Sequence, residues 1–357
     1  MHLVMTETQA KTIVDRPESV VEYPFDDYPA EGSVTEVYPN IYWLSTPLPF
    51  RLRSINLWLL KDGDGWAIVD CGYKREDVQQ QWKQIWRTIL GDHPVKQIIV
   101  THFHPDHMGN SKWLSDEWGI KPQMSETEWE FANLAVKDEN TDNLDELGAF
   151  YAQNGLDGER IERIRQEFIL YSKGCGIPSS YDRLVDRQRI HIDGNQWQVL
   201  IGYGHSPEHV CLYCAEIGVM ISGDQILPEI TPNVSVWPRG ADENPLQGFI
   251  QTMQRFKPIL RKDTLVLPSH RRPFIGVHTR FDELEHHHHD RLDKVMSSVG
   301  SGITAGELLG HLFPVNLDGH QIVFAMNEAL AHLNYLMYEG RLQRVNSRND
   351  VVVWRRI

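Results

Sequence analysis

Short hydrophobic runs in which apolar and polar positions alternate occupy two blocks of this 357-residue chain. Such runs, bounded by turn residues, are typical of β-strands. The first block contains residues 41–44, 54–60, 66–70 and 97–100. The second block contains residues 189–192, 196–201, 209–215, 219–221 and 264–267. Residues 75–90 instead carry apolar side chains at helical spacing, which predicts an amphipathic crossover helix. Strands that alternate with such a helix predict a layered α/β fold.

Residues 111–185 have helical periodicity and no strand pattern. Ser125–Glu128 has the sequence of a capping box, which predicts the start of one helix. Residues 159–170 predict a second helix. We therefore expect a helical insertion between the two strand-rich blocks. Such an insertion is a candidate lid over a functional site, and a packing excursion without ligand contact is an equal alternative.

The two ends of the chain differ from the strand-rich middle. Residues 1–35 are polar and contain prolines, which predicts an N-terminal arm before a main domain at 36–280. Residues 281–357 predict three helices and a hairpin, the outline of a small winged-helix-like domain. Its long helix has no Lys or Arg between residues 321 and 339, whereas a DNA-reading helix needs basic side chains. We expect this tail to serve packing or dimerisation, so a homodimer is the candidate assembly.

Four consecutive histidines, His286–His289, lie in the first predicted helix of the tail. Consecutive side chains point in different directions around a helix, so these four cannot all bind one ion. We expect them to form a solvated helix face rather than a second metal site.

Composition limits the classes of partner. The net charge of −14 opposes binding to nucleic acid or to an anionic membrane, because both are polyanions. The chain has no run of about 18 apolar residues, so no membrane span is expected. The first residues lack the basic region and the apolar stretch of a signal peptide, and four cysteines are too few for a disulfide framework. We expect a cytoplasmic protein with a small-molecule substrate.

The segment Thr101–Gly109 reads THFHPDHMG and directly follows the predicted strand at 97–100. In an extended chain His102 and His104 point the same way, so they can bind one ion together. Asp106 and His107 follow a proline, where the chain turns, and therefore point elsewhere. One loop can thus offer ligands to two neighbouring metal ions.

Three later predicted strands are also followed by His or Asp. His205 follows residues 196–201, Asp224 follows 219–221, and His270 follows 264–267. A metal site on a β scaffold requires ligands from several strand ends that converge at one edge of a sheet. These residues therefore predict a metal site at that edge.

This set of motifs resembles the metallo-β-lactamase-fold hydrolases over about residues 35–275. The matching motif is His102-x-His104-x-Asp106-His107, followed by His205, Asp224 and His270. Residues 204–209 are similar to the Gly-His-Thr-x-Gly-His-type segment of glyoxalase II-like enzymes. Residues 222–227 and 231–234, with the winged-helix-like tail, resemble the β-lactamase-like protein 2 subgroup. The resemblance implies an αββα sandwich with metals at one edge of the facing sheets.

The resemblance also implies two divalent metal ions and assigns their ligands. The first ion would be held by His102, His104 and His205, the second by Asp106, His107 and His270, with Asp224 as the bridge. Asp70 would orient the metal-binding loop without binding metal itself. Imidazole and carboxylate ligands suit Zn²⁺, with Fe or Mn as alternatives.

The implied reaction is hydrolysis by a hydroxide that bridges the two metals. Asp224 and Asp106 are the expected catalytic residues, with Asp106 as an acceptor for the proton of the nucleophile. Four candidates for substrate contact adjoin a ligand loop or the insertion: Tyr171, Trp237, Arg271 and Arg272. The two arginines either bind an anionic group of the substrate or are surface residues.

Four functions are compatible with these motifs to different degrees. We favour hydrolysis of a small carboxyl ester, a thioester first and then a lactone, because of the glyoxalase-like segment around His205. The alternative is a phosphodiesterase or endoribonuclease of the β-lactamase-like protein 2 type, which the negative charge disfavours. The absence of a signal peptide disfavours a β-lactamase. Retention of all seven ligand positions disfavours a binding protein without catalysis.

Overall fold

A computed structural model describes residues 21–49, 51–137, 141–313, 317–346 and 350–357. Two β-sheets face each other in it, and helices cover their outer faces. The predicted α/β class and αββα sandwich are therefore confirmed. Residues 1–20 of the predicted N-terminal arm lie outside the described residues, whereas Glu22 forms a β-bridge with Ile275.

Seven strands of the described chain form the first sheet, in sequence order. They are β1 (Val34–Tyr38), β2 (Ile41–Pro47), β3 (Ser54–Asp62), β4 (Gly65–Val69), β5 (Val95–Ile99), β6 (Gln123–Met124) and β7 (Asp182–Arg183). Strands β1 to β4 are antiparallel, whereas β4 to β7 are parallel. The parallel pair β4–β5 requires a crossover, which the predicted helix at 75–90 supplies.

The second sheet has the order β13-β12-β11-β10-β9-β8. Its strands are β8 (Arg189–Ile192), β9 (Asn195–Gly202), β10 (His209–Cys214), β11 (Val219–Gly223), β12 (Leu265–Pro268) and β13 (Phe274–Ile275). The pair β11–β12 is parallel and the other pairs are antiparallel. A separate hairpin pairs β14 (Leu342–Asn346) with β15 (Val352–Arg356).

The helices connect the strands, form the insertion and build the C-terminal region. They are α1 (Glu76–Ile85), α2 (Pro105–Met108), α3 (Ser111–Trp118), α4 (Glu126–Lys137), α5 (Thr141–Gln153), α6 (Gly158–Gly174), α7 (Pro245–Phe256), α8 (Val277–Ser298), α9 (Ala305–Leu312) and α10 (Gly319–Tyr338). A π-helical turn at Trp86–Leu90 extends α1. No helix of the described chain is long and apolar enough to cross a membrane.

Among the residues that the structure describes, three apolar cores fill the spaces between these layers, and the alternation along each strand divides its side chains between two of them. On β10, Val210 and Leu212 point into the core between the sheets, whereas Cys211 and Tyr213 point into the core beneath the outer helices. The strand is buried on both faces, because each face packs against another layer. The facing sheets are thereby fixed relative to each other, which holds the strand ends in place.

Two expectations about the insertion are wrong in detail. It contains the short strands β6 and β7, which extend the first sheet. Two residues are too few to show an alternating pattern. The capping box at Ser125–Glu128 does not form, although α4 begins there: the Glu128 side chain instead accepts hydrogen bonds from Phe103, Ser206 and Glu208.

The C-terminal region packs against the insertion. The Tyr151 hydroxyl donates to Asn327 Oδ1 of α10 at 2.9 Å, and the apolar side chains of both segments share one core. The predicted boundary between residues 280 and 281 lies inside α8. The expected solvated histidine face is wrong for His288, which is fully buried with its Nδ1 3.2 Å from His332 Nε2. A capping box between Thr304 and Glu307 begins α9.

Candidate metal centre

The first group of predicted ligands meets at the end of β5 and β9. His102 Nε2 lies 2.8 Å from His104 Nδ1 and 3.2 Å from His205 Nε2. Asp224 joins them, with its Oδ2 3.6 Å from His205 Nε2. Tetrahedral zinc with Zn–N bonds of about 2.0–2.1 Å places its nitrogen ligands about 3.3 Å apart. The three imidazoles therefore have the spacing of a single-ion site.

The second group lies on the other side of Asp224. His270 Nε2 is 3.3 Å from Asp106 Oδ2, and His107 Nε2 is 3.8 Å from the same oxygen. Asp224 Oδ1 lies 3.6 Å from His107, whereas its Oδ2 lies 3.5 Å from His270 and also faces the first group. The Asp224 carboxylate thus stands between the two groups, where a bridging ligand would stand.

The chemistry of these donors fits divalent cations. His107 Nε2 and Asp224 Oδ1 are buried and make no hydrogen bond in the described part of the chain, although they face each other. Burial, with a smaller contribution from the neighbouring His205, lowers the pKa of His104 to about 3, so the ring is neutral and one nitrogen lone pair is available. Burial opposes ionisation of His270, but the carboxylates of Asp224 and Asp106 raise its pKa to about 10. A buried pocket with this much negative charge favours a bound cation.

Several of the imidazoles are oriented by a hydrogen bond at the other ring nitrogen. His205 Nδ1 lies 2.8 Å from the Asn233 carbonyl, and His270 Nδ1 lies 3.1 Å from the Ser54 carbonyl. A carbonyl oxygen can only accept, so each ring donates through Nδ1 and directs Nε2 into the site, where a bound cation would replace any proton on it. Sequence spacing does not reveal either carbonyl, because both come from distant segments.

Asp70 orients the second group in a similar way. It follows β4 with a left-handed backbone, φ 63°, and its carboxylate lies 2.7 Å from His107 Nδ1. The same carboxylate accepts hydrogen bonds from the Thr101 amide and hydroxyl. It therefore holds both the start of the ligand loop and the His107 ring.

His209 is close to the ligands but belongs to neither group. Its Nε2 accepts a hydrogen bond from the Asp224 amide at 3.0 Å, and its ring stacks on His102. A Cβ on Gly223, which has φ 53°, would lie 2.3 Å from this ring. Glycine at this position lets the chain turn against His209 and present Asp224 to both groups.

Glu128 is a site residue that the sequence analysis did not identify. Its buried carboxylate accepts hydrogen bonds from the Phe103 amide at 2.9 Å, the Ser206 hydroxyl at 2.6 Å and the Glu208 amide at 2.7 Å. Phe103 stands between two ligands, and Ser206 follows another. Burial raises the pKa of Glu128 to about 7, although the three donors oppose the rise. Glu128 thus ties the insertion to both loops of the first group.

A cavity of about 690 Å³ opens over the two groups. His104, Asp106, His205, Asp224 and His270 form part of its wall. Tyr171 and Trp237 also line it, so the structure brings these two substrate candidates to the site. The Tyr171 hydroxyl is buried and has no hydrogen-bond partner among the residues that the structure describes.

Arg271 and Arg272 are not part of the cavity wall. Both lie near Glu229, at 3.8 and 3.6 Å, and Arg272 also stacks over the Tyr23 ring. Arg271 has a left-handed backbone, φ 71°, which turns the chain directly after His270. The prediction that these arginines contact substrate is therefore not supported, and the alternative of surface arginines fits their placement.

Further cavity residues come from segments without sequence motifs. The insertion contributes Phe131, Leu134, Leu147, Phe150, Phe168 and Leu170. The C-terminal region contributes His320, Gln321, Val323 and Phe324 of α10. Helical periodicity marks some of these as apolar, but it does not distinguish a cavity wall from a core.

An αββα sandwich with two adjoining His/Asp groups at one edge of its sheets defines a metallo-hydrolase. The sequence profile described as the Metallo-beta-lactamase superfamily matches residues 51–270, so the chain belongs to that superfamily. A second profile, described as the C-terminal domain of metallo-beta-lactamase-like proteins, matches residues 292–357.

Similar proteins share both parts of the chain. A beta-lactamase domain protein from Burkholderia ambifaria is 38% identical, with a TM-score of 0.88 over 94% of this chain and 98% of that one. The metallo-beta-lactamase family protein TTHA1429 from Thermus thermophilus is 27% identical, with a TM-score of 0.77 over 90% of this chain and 100% of that one. The probable metallo-hydrolase YqjP from Bacillus subtilis is 24% identical over 87% of this chain and 97% of its own length.

Proposed function

We propose that this metallo-hydrolase binds two divalent metal ions, with Zn²⁺ as the leading candidate, and cleaves a carboxyl ester, preferably a thioester or a lactone. The observation that carries the proposal is the position of Asp224 between two ligand groups at the base of an apolar cavity. Cleavage of such a bond requires an activated water molecule and a stabilised carbonyl oxygen. When bound, two such ions lower the pKa of water and polarise the carbonyl group.

Two aspartates of the chain would hold the ligand groups in place and accept a proton. Asp224 holds the two groups at a fixed spacing, because its two carboxylate oxygens face different histidines. Asp106 lies at the cavity wall with a side chain that is 13% exposed, so it can accept the proton of the attacking water at Oδ2. The pKa of Asp106 is held at about 2: burial raises it, but His107 and His270 outweigh that effect.

Tyr171 is suited to binding the carbonyl oxygen of the substrate. Its hydroxyl is buried at the cavity and free to donate, and its ring packs edge-on against His104 with centroids 6.4 Å apart. A buried donor without a partner is costly, unless a ligand accepts its hydrogen bond. A substrate carbonyl next to the ligand groups would supply that acceptor.

Phosphodiester cleavage is less well supported by the same cavity. A nucleotide substrate needs cationic or polar contacts along its backbone. Arg271 and Arg272 lie outside the wall, and the two arginines that do line the cavity, Arg51 and Arg239, share it with the acidic Glu146 and Glu167. Much of the wall that the insertion contributes is aromatic or aliphatic. This lining suits an acyl group better than a polyanion.

The test combines metal analysis with a substrate panel. We expect the protein to bind two metal ions per chain and to hydrolyse acyl thioesters or lactones faster than bis-p-nitrophenyl phosphate. Asp224→Ala should lose most bound metal and nearly all turnover, because both groups lose their shared carboxylate. Asp116→Asn, which changes an exposed aspartate on α3, is the control and should retain both. Turnover of the phosphodiester alone, or full activity of a metal-free Asp224→Ala protein, would refute the proposal.

A further inference from the structure

The wall of the cavity indicates what kind of substrate it accepts. Three insertion helices contribute apolar side chains to it: Phe131 and Leu134 from α4, Leu147 and Phe150 from α5, and Phe168 and Leu170 from α6. Trp237 continues this surface towards the ligand loop, with its ring 6.3 Å from Phe103. Apolar surface of this kind is favourably covered by a hydrocarbon group. The cavity therefore has far more apolar surface than an acetyl group would cover.

Two partly exposed leucines extend the apolar lining. Leu52 is 37% exposed and Leu170 is 55% exposed, and both line the cavity. Single exposed leucines are common on protein surfaces. Two that line the same cavity add apolar surface that a hydrocarbon chain of the substrate would cover.

The C-terminal region forms one wall of the same cavity through α10. Val323 is buried and Phe324 is half-buried, and both line the cavity. The helix is anchored one turn later by Asn327, which accepts from the Tyr151 hydroxyl and, through its carbonyl, from the Val236 amide. These bonds join α10 to the insertion and to the segment next to Trp237. The position of this wall is thus fixed relative to the rest of the cavity.

We infer that the natural substrate carries a long apolar acyl group, and that α10 determines which chain lengths the cavity accepts. This inference rests on the proposed hydrolysis of a carboxyl ester or thioester. The reacting carbonyl lies at the ligand groups, and the acyl chain lies against the insertion and α10. A volume of 690 Å³ is within the range of about 300–1,000 Å³ that encloses ligands much larger than an acetyl group.

A homologous series of substrates tests the acyl class. We would measure kcat/KM of the metal-loaded full-length protein for acetyl, butanoyl, octanoyl, dodecanoyl and hexadecanoyl thioesters of N-acetylcysteamine. Each methylene that enters the cavity should raise kcat/KM by up to about fourfold, which corresponds to about 0.8 kcal/mol per buried methylene. The rise should end once the cavity is filled. A flat or falling series would overturn the inference, whereas no hydrolysis of any member would contradict the proposed function itself.

Two variants test the role of α10. Val323→Trp adds bulk to the wall and should lower the ratio of hexadecanoyl to acetyl kcat/KM at least tenfold. Phe324→Ala removes a ring from the wall and should shift the preferred substrate towards longer acyl chains. It tests the role of α10 even if the Val323→Trp protein does not fold. Tyr338→Ala, which changes a 59% exposed residue of the same helix, is the control and should keep the wild-type ratio. Unchanged ratios in variants that still cleave the acetyl thioester would overturn the role of α10 and leave the proposed function standing.

Discussion

Replacing Glu128 with glutamine tests how the first ligand group is held in place. Its Oε1 accepts two hydrogen bonds, from the Ser206 hydroxyl and the Glu208 amide, whereas its Oε2 accepts one from the Phe103 amide. Glutamine retains one acceptor oxygen. That oxygen fits best at the position of Oε1, where the Ser206 hydroxyl and the Glu208 amide both donate. The new NH₂ group then faces the Phe103 amide, so two donors meet and neither is satisfied.

The expected loss of stability follows from the number of hydrogen bonds that the substitution removes. One buried amide without an acceptor costs about 1–3 kcal/mol, so the free energy of unfolding of the metal-free Glu128→Gln protein should fall by that amount. Glu128→Ala removes the acceptor of the Phe103 and Glu208 amides and of the Ser206 hydroxyl, and it should cost at least about twice as much, about 2–6 kcal/mol. Because Phe103 stands between His102 and His104, the first group should also bind metal about 10- to 100-fold more weakly.

The assay measures metal binding and stability separately. Titration of metal-free protein with Co²⁺, followed by absorbance, would report the affinity of each site. Urea unfolding of the same preparation would give the change in stability, and hydrogen exchange would report protection of the Phe103 amide. Asp70→Asn is the complementary variant and should weaken the second group instead, because Asp70 contacts His107.

A matched control excludes a general effect of changing charge on α4. Glu126→Gln lies on the same helix and alters a surface pair with Arg183 at 2.9 Å, which is worth at most about 1 kcal/mol. The reasoning is refuted if Glu128→Gln binds two ions as tightly as Glu126→Gln does and unfolds at the same urea concentration.

Two further predictions concern the cavity and the C-terminal region. Tyr171→Phe should lower kcat for an acyl thioester about a hundredfold with metal content unchanged, since it removes one donor to the carbonyl oxygen; equal kcat values would rule out that contact. Burial lowers the pKa of His332 from 6.5 to about 4 in the folded protein. As pH falls, His332 is therefore protonated in the unfolded chain before it is protonated in the folded one. The contribution of neutral His332 to the free energy of unfolding is fully present above about pH 6.5, and the free energy of unfolding should be about 2 kcal/mol lower at pH 5. In urea unfolding at both pH values, His332→Gln should show a smaller decline than wild type, and an identical decline would exclude His332 as its source.

The strands and the ligand motifs could be predicted because their signals are local. Alternation along a strand places side chains on opposite faces, so the pattern on β10 is readable without knowing its neighbours. His102 and His104 are two positions apart on an extended segment, so their shared direction follows from backbone geometry. The strands β6 and β7 could not be predicted, because two residues carry no period.

The contacts around the ligands could not be predicted, because their partners are distant in the chain. Glu128 matched a local capping box, yet its carboxylate bonds to Phe103, Ser206 and Glu208 across the fold. His288 was expected on a solvated face, yet α10 packs over it and brings His332 to 3.2 Å. In both cases tertiary packing supplies a partner that no sequence spacing specifies.

The sequence by itself determined the layered α/β fold and the seven His and Asp residues that converge at the sheet edge. It did so because the alternation within each strand and the residues that follow its end are properties of consecutive residues. Only the tertiary structure decided what surrounds them. Arg271 adjoins His270 in sequence but turns away from the cavity, whereas Val323 of α10 lies in its wall. Which side chains enclose a substrate depends on how separate segments pack, and packing is a property of the whole fold.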